Sequence, residues 1–129
     1  MTQRLHAVTL VVPDYDTAIA FYVDTLGFTL LDDLRLSASK RWVRVALPGD
    51  DATSLLLARA DTPEQQTSIG NQTGGRVGFF LATDDFHRDH SAMTAAGVTF
   101  EESPRSEVYG IVAVFRDPFG NRWDLIQFT

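Results

Sequence analysis

The sequence predicts an α+β fold made of two βαβββ modules that form a curved mixed sheet around a trough, with the helices outside. Three observations predict it. A strand-like run, an aspartate, a helical stripe and a glycine occur in that order twice, 70 residues apart: Asp14 with Asp84, Gly27 with Gly97, Phe28 with Val98. Each occurrence is followed by two further extended runs joined by a turn rich in Pro, Gly, Asp or Asn. A polar, glycine-rich stretch at 60–75 separates the two copies.

The elements follow in order. Residues 5–12, LHAVTLVV, are β-branched and read as a strand that Pro13-Asp14 ends. Residues 15–26 then place Tyr15, Ala18, Ile19, Tyr22 and Leu26 on one helical face. Asp14 suits the N-cap, and Gly27 suits the left-handed residue past the helix end. A short extended run follows at 28–31. Residues 41–47 and 53–59 read as a hairpin turning at Pro48-Gly-Asp-Asp51. The second copy has a strand at 76–83 and a helix over 86–96, capped by Asp84 or Asp85. Gly97 ends that helix, and Val98-Thr99-Phe100 extends away. A second hairpin, 109–116 and 122–128, turns at Asp117-Pro-Phe-Gly-Asn121. The modules therefore span 5–60 and 76–129 of one domain, and the segment between them is expected to be a mobile linker.

Composition narrows the function. The chain has 129 residues, 44% of them hydrophobic, enough to bury a core. Its formal charge is -6 and its pI is 4.8, so a phosphate backbone is repelled on average and nucleic acid is not an expected partner. Ten of the eleven basic residues are arginines, the residue suited to anionic or planar ligands. Absence of cysteine removes disulfides, thiol nucleophiles, and iron–sulfur or Cys-ligated zinc sites. No apolar run reaches membrane-spanning length. The opening residues Met1-Thr-Gln-Arg-Leu5 lack an apolar signal core, so a cytoplasmic location is expected.

Two stretches, HAVTLVVPDYDTAIAFYVDTLGF at 6–28 and VFRDPFGNRWDLIQF at 114–128, resemble the vicinal oxygen chelate superfamily. That superfamily holds glyoxalase I, bleomycin and fosfomycin resistance proteins, and extradiol dioxygenases. The resemblance covers nearly the whole chain and implies the paired-module fold and a homodimer. It implies less about the reaction, because one fold carries many activities.

In metal-using members of that family the ligands stand on the inner faces of four strands. The first is a histidine seven residues before the helix-capping aspartate. Here that position is Ala7, and His6, one residue earlier, belongs to the opposite face of the strand. The same count from Asp84 gives Val77. The second ligand falls among Leu55, Leu56 and Leu57. Only the fourth position, Asp124, keeps an acid. A divalent ion needs several oxygen or nitrogen donors. No metal or other cofactor is therefore expected, with His6 and Asp124 the one pair that a bulge could bring together.

The remaining polar candidates suit a small-molecule ligand. Trp42 and Arg44 alternate with Val43 and Val45 and share a strand face, where they suit a planar or anionic group. Asp124 needs a partner if buried; Arg122 is nearest in sequence, and Arg44 is a candidate from the other module. Tyr109, beside the run Ser103–Glu107, is placed to close the mouth of the trough, and that run reads as a lid or a surface turn. Trp123 should point to the helix layer, and Phe79, Phe80, Phe100 and Phe115 read as core. His87 and His90 read as surface residues. Neither Ser103 nor Ser106 has a His–Asp arrangement for acyl transfer. Gly74-Gly75 is too short to cradle phosphate. The leading function is a metal-free binding protein for an aromatic or charged small molecule. The alternatives are a glyoxalase/lyase- or dioxygenase-type enzyme, metal-dependent or using Asp124 with an arginine, and a structural partner protein.

Overall fold

A computed structural model of the chain describes residues 2–49 and 53–129. The chain divides into two units, one ending at Ile69 and the other beginning at Gly70. The first holds β1 (Ala7–Val12), α1 (Tyr15–Ile19) continued by a π-helical segment (Ala20–Thr25), β2 (Thr29–Arg35), β3 (Arg41–Ala46), β4 (Ser54–Arg59) and α2 (Pro63–Ser68). Its sheet runs β1-β4-β3-β2, with β1 and β4 parallel and the other pairs antiparallel. Of the predicted turn at 48–51, Asp50 and Asp51 lie outside the described residues.

Helix α1 starts where the sequence says it should. Asp14 is extended, and its carboxylate accepts from the Thr17 amide and hydroxyl, both at 2.8 Å. The rest of the helix departs from a regular α-helix. The Leu26 amide reaches back five residues to the Phe21 carbonyl at 2.9 Å. This wider turn buries Phe21 as well as Tyr22, and their rings meet edge to face at 5.0 Å. The regular stripe drawn from the sequence omits Phe21 for that reason. Val43, Val45 and Leu57 alternate with the other face of the sheet and are fully buried.

The second unit holds β5 (Phe79–Ala82), α3 (Phe86–Ala95), β6 (Thr99–Phe100), β7 (Arg105–Glu107), β8 (Gly110–Arg116) and β9 (Arg122–Phe128). The sheet runs β5-β9-β8-β6, with β7 also paired to β8, and β5 lies parallel to β9. The repeated order of elements thus becomes a repeated sheet topology. Trp123 is buried and stacks on Phe79 at 4.7 Å and on Phe115 at 5.8 Å, as its alternation with Asp124 predicts. Burying a ring of this size contributes about 1.5–3 kcal/mol.

Four features differ from the sequence expectation. Of the two caps the sequence offers for α3, Asp85 is used, accepting from the Arg88 amide at 3.1 Å, so Asp14 matches Asp85 and not Asp84, and the repeat is 71 residues at this point and 70 at Gly27 and Gly97. Twelve residues separate Asp14 from Gly27 and eleven separate Asp85 from Gly97; the π segment absorbs the extra one. The supposed linker carries α2, whose Thr62 accepts from the Gln65 amide while Gln65 Oε1 accepts from the Asp61 amide at 2.6 Å. Thr62-Pro-Glu-Gln65 has capping-box spacing with proline at the first helical position, a signal present in the sequence. Arg105–Glu107 is a strand paired with Ile111 and Val112, neither a lid nor a plain turn. His90 lies half-buried between Phe86 at 5.5 Å and Phe100 at 4.2 Å, where a surface residue was expected.

Candidate functional site

In the first unit, strand alternation sends Trp42 and Arg44 to one face, with Thr9, Val11 and Leu56. The pairing of β3 with β2 places Asp32 opposite Arg44. One oxygen of Asp32 accepts from Arg44 Nε at 2.5 Å and from Trp42 Nε1 at 3.2 Å. Arg44 also donates to the Ser54 hydroxyl at 3.2 Å. The Arg44 hydrogen bond, helped by Trp42, holds the Asp32 carboxyl below its ordinary value. Sequence reasoning missed Asp32, the residue that joins the two side chains it had selected.

Trp42 borders a cavity of about 440 Å³. Thr9, Val11, Leu56 and Ala58 supply small and apolar walls, and Tyr15, Arg59, Asp61 and Gln65 also line it. Tyr15 has Arg41 over its ring at 5.1 Å and Arg59 at 6.0 Å. Arg41 is committed elsewhere, to Asp33 at 2.7 Å and Asp16 at 2.8 Å. The size suits a small organic ligand, and the indole and aliphatic walls share the lining with the charged side chains of Lys40, Arg41, Arg59 and Asp61.

In the second unit Asp124 is only 8% exposed, and its Oδ1 accepts no hydrogen bond. Burial pushes its carboxyl above the ordinary value; Arg105 and Arg122 oppose that push and Glu102 adds to it. The expected partner, Arg122, is taken. It donates to both oxygens of Glu101, at 2.9 and 3.1 Å, and to the Gly75 carbonyl at 2.9 Å. Arg116 shares Glu101 at 2.7 Å. The other expected partner, Arg44, is held by Asp32. Tyr109 stands on the two-residue tip between β7 and β8, 40% exposed, and hydrogen-bonds to Arg105, which also pairs with Glu102 at 2.6 Å.

Phe80 corrects the sequence reading in a second way. It is not core: it is 66% exposed and lies directly beside Asp124 in the parallel pairing of β5 with β9. Asp124, Phe80, Arg122, Arg76, Val77 and Gly75 line a second cavity of about 410 Å³. Two adjacent phenylalanines must point to opposite faces, which was the available signal.

Strand pairing shows which faces hold the residues that the sequence count puts at the family's metal-ligand positions. Ala7 lies on the Trp42 face, and Leu56, opposite Arg44, is the one of the three leucines that shares it. Counting from the true cap, Asp85, moves the third position from Val77 to Gly78, which shares the Phe80 face. Alanine, leucine and glycine side chains offer no donor. His6 is exposed, one residue out of phase with Ala7. Among the described residues no three His, Cys, Asp or Glu side chains cluster in a way that could hold an ion. The residues present do not fit the metal centre of the family.

With one mixed sheet of the same order in each unit, and a cavity on each, the chain has the form of a vicinal oxygen chelate protein. It belongs to the Glyoxalase/Bleomycin resistance protein/Dioxygenase superfamily, whose model it matches over residues 4–125. It is 52% identical to an uncharacterized protein of Shewanella frigidimarina (strain NCIMB 400), across 100% of this chain and 96% of that one. Among solved structures it is similar to TnmS3, an antibiotic binding protein from Streptomyces sp. CB03234, with a TM-score of 0.80 and 33% identity over 100% of this chain and 99% of the other. It is also similar to UcmS2, with a TM-score of 0.84 and 30% identity over 98% of each. No helix among the described residues is long and apolar enough to cross a membrane.

Proposed function

We propose that the chain binds a planar aromatic small molecule against Trp42 and works without the metal centre of its family. The observation that carries this is Trp42 itself: an indole pinned by Asp32 at the wall of a 440 Å³ cavity with aliphatic walls. Pinning matters because a ring already fixed loses little freedom when a ligand stacks on it. Lys40 and Arg59 line the same cavity and suit an acidic substituent, with Asp61, 3.9 Å from Arg59, as the competing acid. The likeness to an antibiotic binding protein supports a sequestering role over a catalytic one. The family resemblance adds a homodimer to this proposal.

The test is a titration of the metal-analysed protein with naphthalene-2-sulfonate and 9-aminoacridine, two planar rings of opposite charge, followed by calorimetry. Saturable binding that Trp42→Ala abolishes is the expected result. Unchanged binding by Trp42→Ala, or an ion present in stoichiometric amount and required for binding, overturns it. One observation favours a second reading. Asp124 is buried, and its carboxyl holds its proton more tightly than usual, as proton-transferring groups do. Turnover of a small carbonyl compound, lost in Asp124→Asn, would establish a lyase-type enzyme instead.

A further inference from the structure

Strand β2 ends its sheet. The order is β1-β4-β3-β2, and among the described residues no strand lies beyond it. An open strand edge is a template for pairing, and chains usually blunt it with proline, lysine or an uncompensated charge. β2 has neither proline nor lysine. Its two acids are turned back on β3, Asp32 held by Arg44 and Asp33 by Arg41. What stays in the open is largely apolar: Leu31, Leu34 and Leu36 are 42%, 59% and 57% exposed.

The Leu36 amide donates to the Lys40 carbonyl at 2.8 Å, toward β3. Alternation then turns the backbone groups of Asp32 and Leu34 toward β3 as well, and those of Asp33 and Arg35 to the open edge. A second copy of β2 can pair antiparallel there only if outward residues face outward residues. Three two-fold registers satisfy that within Asp32–Leu36. One sets Asp33 against Asp33 and another sets Arg35 against Arg35, and like charges directly opposite repel. The third sets Asp33 of each copy against Arg35 of the other, with Leu34 meeting Leu34 on the two-fold axis. The irregularity between Leu30 and Asp32 lies outside this stretch. Arg35 is exposed, with one long hydrogen bond to the Ala38 carbonyl at 3.5 Å. Asp33 already holds Arg41, but a carboxylate of this chain can take two arginines, as Glu101 takes Arg116 and Arg122. We infer that β2 is a self-association edge, on which two copies join their sheets through Asp32–Leu36 in the register set by the Asp33–Arg35 pairs. Each of those pairs exchanges both backbone hydrogen bonds. The occupant is a second copy because the strand complements itself in this one register. The inference gives a homodimer a specific surface and does not rest on the Trp42 cavity.

The experiment is oxidative crosslinking of single-cysteine variants of the full chain, which has no cysteine of its own. In the inferred register the two Leu34 positions are a non-hydrogen-bonded pair with Cα atoms about 4.5 Å apart, within disulfide reach. The two Leu36 positions are roughly 13 Å apart and out of reach, although Leu36 is as exposed as Leu34. With copper–phenanthroline, Leu34→Cys should give a covalent dimer at least about tenfold faster than Leu36→Cys. Adding Arg35→Glu to Leu34→Cys sets acid against acid and should slow it by about tenfold, and adding Asp33→Lys with Arg35→Glu should restore it. Circular dichroism confirms that each variant is folded. Equal rates for Leu34→Cys and Leu36→Cys overturn the register. So does an unchanged rate with Arg35→Glu. A protein that sediments as a dimer while Leu34→Cys stays uncrosslinked is joined through another surface; the homodimer then stands and this edge fails. A monomer at every concentration leaves the edge to a strand of some other protein and overturns the inference too.

Discussion

Arg122 grips both oxygens of Glu101, at 2.9 and 3.1 Å, and so leaves Asp124, two residues further along the same strand, with a buried oxygen that has no partner. Carboxylate and guanidinium two residues apart on one strand face do not pair, because Glu101 competes and wins.

Asp124 therefore costs the fold free energy, and the cost depends on pH. Its carboxyl is pushed up by burial, so the folded chain holds the proton more tightly than the unfolded one. Stability is then fullest below the ordinary aspartate value and falls as pH rises through the raised value. Asp124→Leu should be more stable than the natural chain by on the order of 1–3 kcal/mol near neutral pH. The gain should shrink as the solution is acidified toward pH 4. Thermal denaturation across that range checks both the sign and the trend.

Asp32 predicts the reverse. Its carboxyl is held down, first by Arg44 and then by Trp42, so its contribution is present above the ordinary aspartate value and lost as pH falls through the depressed one. Emission from Trp42, taken as the difference between the natural chain and Trp42→Phe, should stay constant through the ordinary aspartate range and change only below it. Asp32→Asn should show altered emission already at neutral pH.

The two candidate caps of α3 separate cleanly. Asp85→Ala removes the acceptor of the Arg88 amide and should cost about 1 kcal/mol. Asp84→Ala removes only an exposed ion pair with Arg88, 57% and 86% exposed, and should leave the urea midpoint unchanged.

Gly27 and Gly97 both hold positive φ, 84° and 91°, and an added Cβ at either would meet nothing within 4 Å. Alanine there is strained by backbone conformation alone. Gly27→Ala and Gly97→Ala should each lower stability by about 1–2 kcal/mol, and by similar amounts, in urea unfolding.

Much of this molecule was legible before any coordinates. Alternation placed Trp42 with Arg44 and sent Trp123 to the core, because a strand has only two faces and local sequence decides between them. Caps and glycines located both main helices. The misses have two causes, contacts that only the folded chain makes and local signals outweighed by residue type. Asp32 meets Arg44 only after an irregularity in register between Leu30 and Asp32, and nothing local announces that. Glu101 reaches Arg122 across 21 positions of chain. Phe80 was assigned to the core by residue type, although its neighbour Phe79 already had that face. Helix α2 escapes the pattern because a proline and five polar residues carry no apolar stripe; its cap is legible in the sequence.

The π segment has one more consequence. A residue added between two strands ordinarily threatens to slide one of them a step and turn its side chains inside out. Here the surplus is taken up within a single widened turn, between Ala20 and Thr25, and both flanking strands keep their partners. The helix behaves as a slack loop in a taut rope. Removing one position inside it should shorten the rope without moving the knots at either end.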